Sequence, residues 1–167
     1  MEDSMSILGL HHSAYRCRDA EETRAFYEDF LGLPFTGALA ISETKTGRQA
    51  SVLHIFFKMG DGSYLAFFEE PDEPFEFKRQ RDYDLHIALE VSRETLQSMH
   101  AKGQAAGQEV RGPIDHEFSH SIYFRDPNGY VIELAAKTDQ HDDVMNPAKN
   151  RARELLAEWQ SAKIGGG

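Results

Sequence analysis

The sequence predicts an α+β fold made of paired βαβββ modules followed by a C-terminal helix. Three observations predict it. Two strand-like runs share one pattern, His12-Ser13-Ala14-Tyr15-Arg16 and His86-Ile87-Ala88-Leu89-Glu90. Each is followed by a helix-like run that meets a glycine. Each half then closes on a hairpin with a turn signal, Asp61-Gly62 in the first and Asp126-Pro127-Asn128-Gly129 in the second. A supersecondary unit repeated along a chain constrains the fold more than any single motif.

In the first module, residues 8–17 read as a strand. Asp19 opens a helix, with Glu22 three residues on as a capping-box-like partner. Phe26, Phe30 and Leu31 form the buried stripe of that helix, and Gly32 ends it. Three strand-like runs follow, at 36–43, 51–58 and 63–69. The acidic, proline-containing stretch Glu69-Glu70-Pro71-Asp72-Glu73-Pro74 is the joint, so the modules span about 6–70 and 83–137. The second module repeats the order: a strand at 83–92, a helix from Arg93 to Lys102 ending at Gly103, a short strand near Glu109-Val110, and strands at 119–125 and 129–136. Together they make one domain over 6–137.

Beyond the modules, residues 139–145 read as a loop, and Asn146-Pro147 as a cap and first turn for a helix over 146–163. Ala148, Ala152, Leu155, Leu156, Trp159 and Ala162 fall on one stripe of it. That stripe either packs on its own domain, which is the favoured reading, or serves as a dimer contact or lid anchored by Trp159. Residues 164–167 read as a disordered tail.

A net charge of −10 leaves no basic face for nucleic acid. No apolar run reaches the length of a membrane span, and the acidic start Met1-Glu2-Asp3 precedes no signal core. The single cysteine, Cys17, rules out an internal disulfide framework, fits a cytoplasmic location, and reads as structural filler.

Strand alternation assigns the faces. Leu85, Ile87, Leu89 and Val91 form an apolar face, leaving His86, Ala88 and Glu90 on the other. By the repeat, His11, Ser13, Tyr15 and Cys17 point toward the helix, and His12, Ala14 and Arg16 away from it, so His12 is the partner of His86. Arg16 and Glu90, at equivalent places, could pair. Aligning the two hairpin glycines sets Ala66 against Glu133. Glu133 sits between Ile132 and Leu134, where an unpaired carboxylate would cost roughly 2–7 kcal/mol or more. A metal or a cation removes that penalty. Two imidazoles and a carboxylate hold a divalent ion on one side and leave the other open, so His12, His86 and Glu133 are the candidate metal ligands.

Over residues 6–137 the chain resembles the vicinal oxygen chelate superfamily, which includes glyoxalase I, extradiol dioxygenases, fosfomycin-resistance enzymes and bleomycin-binding proteins. The resemblance rests on His12, Asp19, Phe26-Tyr27, Leu31-Gly32, His86, and Asp126-Pro127-Asn128-Gly129 with Glu133. It implies modules curled into a cup-shaped mixed sheet around one divalent ion held by those same ligands, and a homodimer. The fourth family ligand position falls on Ala66, unlike a standard glyoxalase I. The run Ile114-Asp115-His116, Ile122-Tyr123, Asp126-Pro127-Asn128-Gly129, Glu133 resembles the extradiol signature. It implies catalytic roles for His116 as acid–base and Tyr123 as hydrogen-bond donor. Tyr123 faces the metal with a three-residue turn at Pro127–Gly129, and Ile122 takes that place with a two-residue turn. His54 could stand in for a further family histidine or be a core residue, and Phe56, Phe67 and Phe68 could wall the substrate.

The leading expectation is therefore an Fe(II) extradiol-type dioxygenase acting on a small molecule with vicinal oxygens, such as a catechol. The second is a metal-dependent isomerase, lyase or thiol transferase of the glyoxalase or fosfomycin-resistance type, using Mn(II), Ni(II) or Zn(II). For fosfomycin itself, no clamp of lysine, serine and arginine for a phosphonate is apparent. The third is a non-catalytic binding protein. None of the three involves nucleic acid or membrane.

Overall fold

The computed structural model describes residues 7–43 and 46–164, so the acidic start and the Gly165–Gly167 tail lie outside the described residues. The chain divides into two units. The first comprises residues 1–86 with 125–131, and the second residues 87–124 with 132–167. The βαβββ order appears in each, and the class is α+β as expected.

In the first unit, β1 (His12–Arg16) leads to α1 (Ala20–Arg24), which runs on as a π-helical stretch over Ala25–Phe30. Asp19 caps α1 as predicted, its Oδ1 accepting from the Glu22 amide at 2.8 Å. Strands β2 (Phe35–Glu43), β3 (Gln49–Lys58) and β4 (Tyr64–Glu69) complete a mixed sheet in the order β1-β4-β3-β2. β1 runs parallel to β4, and β3 is antiparallel to both its neighbours. Register sorts the faces: Tyr15 lies opposite Phe67, Ile55 opposite Phe67, and Phe57 opposite Leu65. Those residues turn to the helical side, where Phe57, Leu65, Phe67 and Tyr27 are fully buried.

The second unit contains β5 (Ile87–Glu90), α2 (Arg93–Ala105), β6 (Arg111–Asp115), β7 (Ser119–Arg125) and β8 (Val131–Lys137), with sheet order β5-β8-β7-β6. Parallel pairing sets Ile87 against Ile132 and Leu89 against Leu134 on the buried face, and Ala88 against Glu133 on the other.

Several boundaries differ from the sequence reading. The strand expected at 83–92 shortens to Ile87–Glu90, because residues 82–84 form a turn. Gly103 does not end its helix. It lies inside α2, buried, where a Cβ would come within 2.6 Å of Phe124 and Val110. The close approach of helix to strand, rather than a left-handed cap, requires glycine here. The short strand moves from 109–110 to Arg111–Asp115. The loop at 139–145 contains α3 (His141–Val144). The last helix, α4, begins at Ala152 and not at Asn146. Asn146 instead caps a turn through the Ala148 amide at 2.9 Å, and Asn150 accepts from the Ala152 amide at 3.1 Å. The apolar stripe of α4 does not pack on its own domain: Leu155, Leu156 and Trp159 are 56%, 60% and 67% exposed. Among the described residues, no helix is long and apolar enough to cross a membrane.

Candidate metal centre

The turn between β7 and β8 decides which side chains reach the second unit's open face. The Asp126 amide donates to the Tyr130 carbonyl at 3.0 Å, enclosing three residues. This is the three-residue turn, and it sets Tyr123 across from Glu133. The Tyr123 hydroxyl donates to Glu133 Oε1 at 3.2 Å, while His116 Nε2 lies 2.8 Å from the same hydroxyl. With the phenol proton given to the carboxylate, Nε2–H of His116 donates to the phenol oxygen. The three predicted residues thus form one chain, from an exposed imidazole to a carboxylate only 9% exposed. Burial, then the charge of Glu133, raises the Tyr123 pKa above its ordinary value, so the phenol stays protonated and able to donate. The Arg111 guanidinium lies over the Tyr123 ring at 5.2 Å.

In the first unit, His12 stands at the start of β1 and is exposed, and His86 follows the joint and is also exposed. His86 Nδ1 lies 2.9 Å from the carbonyl of Asp82. A carbonyl only accepts, so Nδ1 is the donor in this bond. Metal-binding histidines are held in this way, by donating the other ring N–H to a carbonyl. His12 Nδ1 lies 2.8 Å from Nδ1 of His11, which is therefore not turned to the helix as the alternation predicted but bonded to its neighbour. The donor chemistry fits a divalent ion of borderline softness, with two imidazoles and a carboxylate. His12 and His86 belong to the first unit and Glu133 to the second. Among the described residues, no group of three His, Cys, Asp or Glu gathers into a complete metal site.

The candidate substrate residues divide. His54 and Phe56 lie on the same sheet face as His12, with ring centres 6.1 and 6.0 Å from it. Phe67 lies on the opposite face, fully buried, 4.7 Å from the Tyr27 ring centre. Phe68 is the ring that stacks on His54. Arg16 and Glu90, the two residues at equivalent places, each have a partner within their own unit. The Arg16 guanidinium donates to the Glu73 carbonyl at 2.8 Å, and Glu90 pairs with Lys137 at 2.8 Å. A cavity of about 410 Å³ in the first unit, lined by Tyr15, Arg16, Phe75, Phe77, Leu85 and Tyr130, escaped the sequence reading. Its sequence signal is the aromatic pair Phe75 and Phe77 in an otherwise charged joint.

Comparison with known proteins gives the family and the fold. The chain belongs to the Glyoxalase/Bleomycin resistance protein/Dioxygenase superfamily, whose family model matches residues 9–134. It is similar to a metallothiol transferase FosB of Bacillus licheniformis, 32% identical over 136 residues that cover 79% of this chain and 77% of that protein. Among solved structures it resembles a mutant of the fosfomycin resistance protein FosX from Listeria monocytogenes, complexed with Mn(II) and a dihydroxypropylphosphonic acid. There the identity is 25%, the TM-score 0.59, and the coverage 80% of this chain and 96% of that one. A glyoxylase/bleomycin resistance protein/dioxygenase domain from Frankia, 17% identical with a TM-score of 0.65, covers 82% of this chain and 97% of its own, and shares the fold.

Proposed function

We propose that this protein is a metal-dependent transferase or lyase of the glyoxalase and fosfomycin-resistance type, acting on a small molecule with vicinal oxygens. The observation that carries it is the 32% identity to a metallothiol transferase along most of both chains. That likeness favours thiol transfer over the dioxygenase reading. His12, His86 and Glu133 would hold the ion. The Mn(II) in the FosX structure supports a manganese-class ion over Fe(II). When bound, such an ion polarises a substrate oxygen and stabilises negative charge developing on it. The chain's own residues supply the rest. His86 is fixed by the Asp82 carbonyl, and the Tyr123 hydroxyl orients Glu133. His116, at the exposed end of the chain, exchanges a proton with Tyr123 and so with solvent. The working unit is a pair of copies. Support comes from the exposed apolar stripe of α4, Leu155, Leu156 and Trp159, a surface a second copy could cover.

The test loads protein with Mn(II) under argon, adds small thiols with fosfomycin, and follows loss of free thiol. The expected result is thiol consumption that disappears in His12→Ala, His86→Ala and Glu133→Ala together with Mn(II) binding. Undiminished Mn(II) binding in all three variants would overturn the ligand assignment. The dioxygenase reading survives on one observation, the His116–Tyr123–Glu133 chain at extradiol-like spacing. Oxygen uptake with Fe(II) and catechols, without any thiol consumption, would put it first.

A further inference from the structure

The face of the first unit that presents His12 holds a second imidazole in an unusual setting. His54, in the middle of β3, is 8% exposed. Phe68 stacks on its ring with centres 3.6 Å apart, and the Phe56 ring centre is 4.1 Å away. Its Nε2 is buried and makes no hydrogen bond. A buried ring nitrogen without a partner is rare in folded proteins, and a phenylalanine would fill this aromatic slot without leaving one.

The surroundings point that nitrogen toward a ligand role. The ring centre of His12 is 6.1 Å away. Metal–imidazole bonds of about 2.0–2.1 Å put two ring centres on one ion within about 6.5 Å of each other. Ala14 and Ala66, paired across β1 and β4, add only methyl groups to this face. We propose that His54 is an additional metal ligand, binding through a ring nitrogen the same ion as His12. This rests on the reading of His12 as a ligand given above. Phe56 and Phe68 are then the rings that hold the His54 imidazole in place, rather than walls of the substrate site. Zn(II) and Co(II), which bind imidazole nitrogen well, serve as probes of this ligand whatever divalent ion the protein uses.

The experiment uses the full chain and the metal alone. Zn(II) is added to ¹⁵N-labelled protein while the histidine ring nitrogens are followed, and Co(II) affinity and visible spectrum are recorded for wild type, His54→Phe and His12→Ala. The expected result is a ring-nitrogen resonance of His54 that moves to a metal-bound position, a Co(II) spectrum altered in His54→Phe, and Co(II) affinity lower by about 10-fold or more. His54 resonances that stay in place as zinc saturates the protein, with an unaltered spectrum in His54→Phe, would overturn the proposal and leave His54 a packing residue. The His12→Ala arm separates the two readings. If that variant binds Co(II) as wild type does, the assignment of His12 has failed. If it loses binding while His54 is silent, only the present proposal has. Should His54→Phe not fold, the zinc titration of the unaltered protein decides alone.

Discussion

The sheet faces on which the candidate residues lie, one in each unit, follow one plan and hold opposite chemistry. In the first unit the face is aromatic and imidazole-rich, with His12, His54, Phe56 and Phe68 gathered around two alanines. In the second unit the corresponding face is acidic and hydroxylic, with Glu133, Tyr123 and His116 joined in a line and Arg111 above them. Ala66 and Glu133 occupy matching places after their hairpin glycines, yet one is a methyl group and the other a carboxylate. The repeat therefore supplies one strand geometry twice, with different side chains at matching places. The first face presents imidazole nitrogens among aromatic rings. The second presents a carboxylate hydrogen-bonded to a phenol and, through it, to an imidazole.

That contrast makes a sharp prediction. Tyr123→Phe removes the hydroxyl between His116 and Glu133 and leaves every candidate ligand in place. Turnover should fall by about 100-fold, the range for loss of one acid–base group. Mn(II) affinity should stay near that of wild type. Measuring both on one preparation tests the comparison, because an equal loss of binding and turnover would mean that the second face holds the ion through Tyr123 as much as through Glu133. Wild-type turnover in the variant would remove the proton route altogether.

The two hairpin turns give a second contrast. Asp61 is exposed and does local work, accepting from the Ser63 amide and hydroxyl at 2.9 and 2.6 Å, which lowers its pKa. Asp126, at the matching turn, is buried within the first unit. It accepts from the Asn128 amide, the Tyr130 amide and the Tyr27 hydroxyl at 2.9, 2.8 and 2.9 Å. Burial nonetheless raises its pKa, outweighing those bonds. Asn128 also accepts from the Arg18 amide at 2.8 Å. One turn only reverses the chain, and the other pins the start of α1 to a distant strand end. Tyr27→Phe leaves that buried carboxylate one donor short. It should lower stability by about 1.5–3 kcal/mol, typical of a buried hydrogen bond to a charged group. Urea melts should show a lower midpoint with the same slope. Asp61→Ala, on the surface, should move the midpoint far less.

Much of this is legible in the chain. The repeat is readable because a strand period of two and a shared His-x-Ala pattern fix the register of both copies, and the glycine-aligned hairpins then put Tyr123 opposite Glu133 under one of two turn lengths. Only the hydrogen bond from Asp126 to Tyr130 selects the three-residue turn, and local sequence does not encode that choice. The faces of β4 are harder. Leu65-Ala66-Phe67-Phe68 is apolar throughout, so alternation cannot separate Phe67 in the core from Phe68 beside His54. Gly103 misleads for a related reason, since a glycine that ends a helix and one that admits a neighbouring ring look alike in sequence. The stripe on α4 is visible, but not that its Leu155, Leu156 and Trp159 stay exposed.

Cys17 closes the comparison from the core side of the first face. It follows β1, is 1% exposed, and its amide donates to the Phe68 carbonyl at 2.9 Å. Burial pushes its pKa up to about 11, against a hydrogen bond with Thr23 that acts the other way. A thiol whose folded pKa is raised binds its proton more tightly in the native state. Its contribution to stability is complete below the unfolded pKa, ordinarily about 8.5, and is lost as pH rises to about 11. Native protein at pH 8 should therefore react with a thiol reagent such as DTNB only at its rate of unfolding, and protein in urea should react at once. Cys17→Ala should flatten the fall in stability between those two pH values. Rapid labelling of folded protein at pH 8 would show that the end of β1 opens readily, against the burial of Cys17.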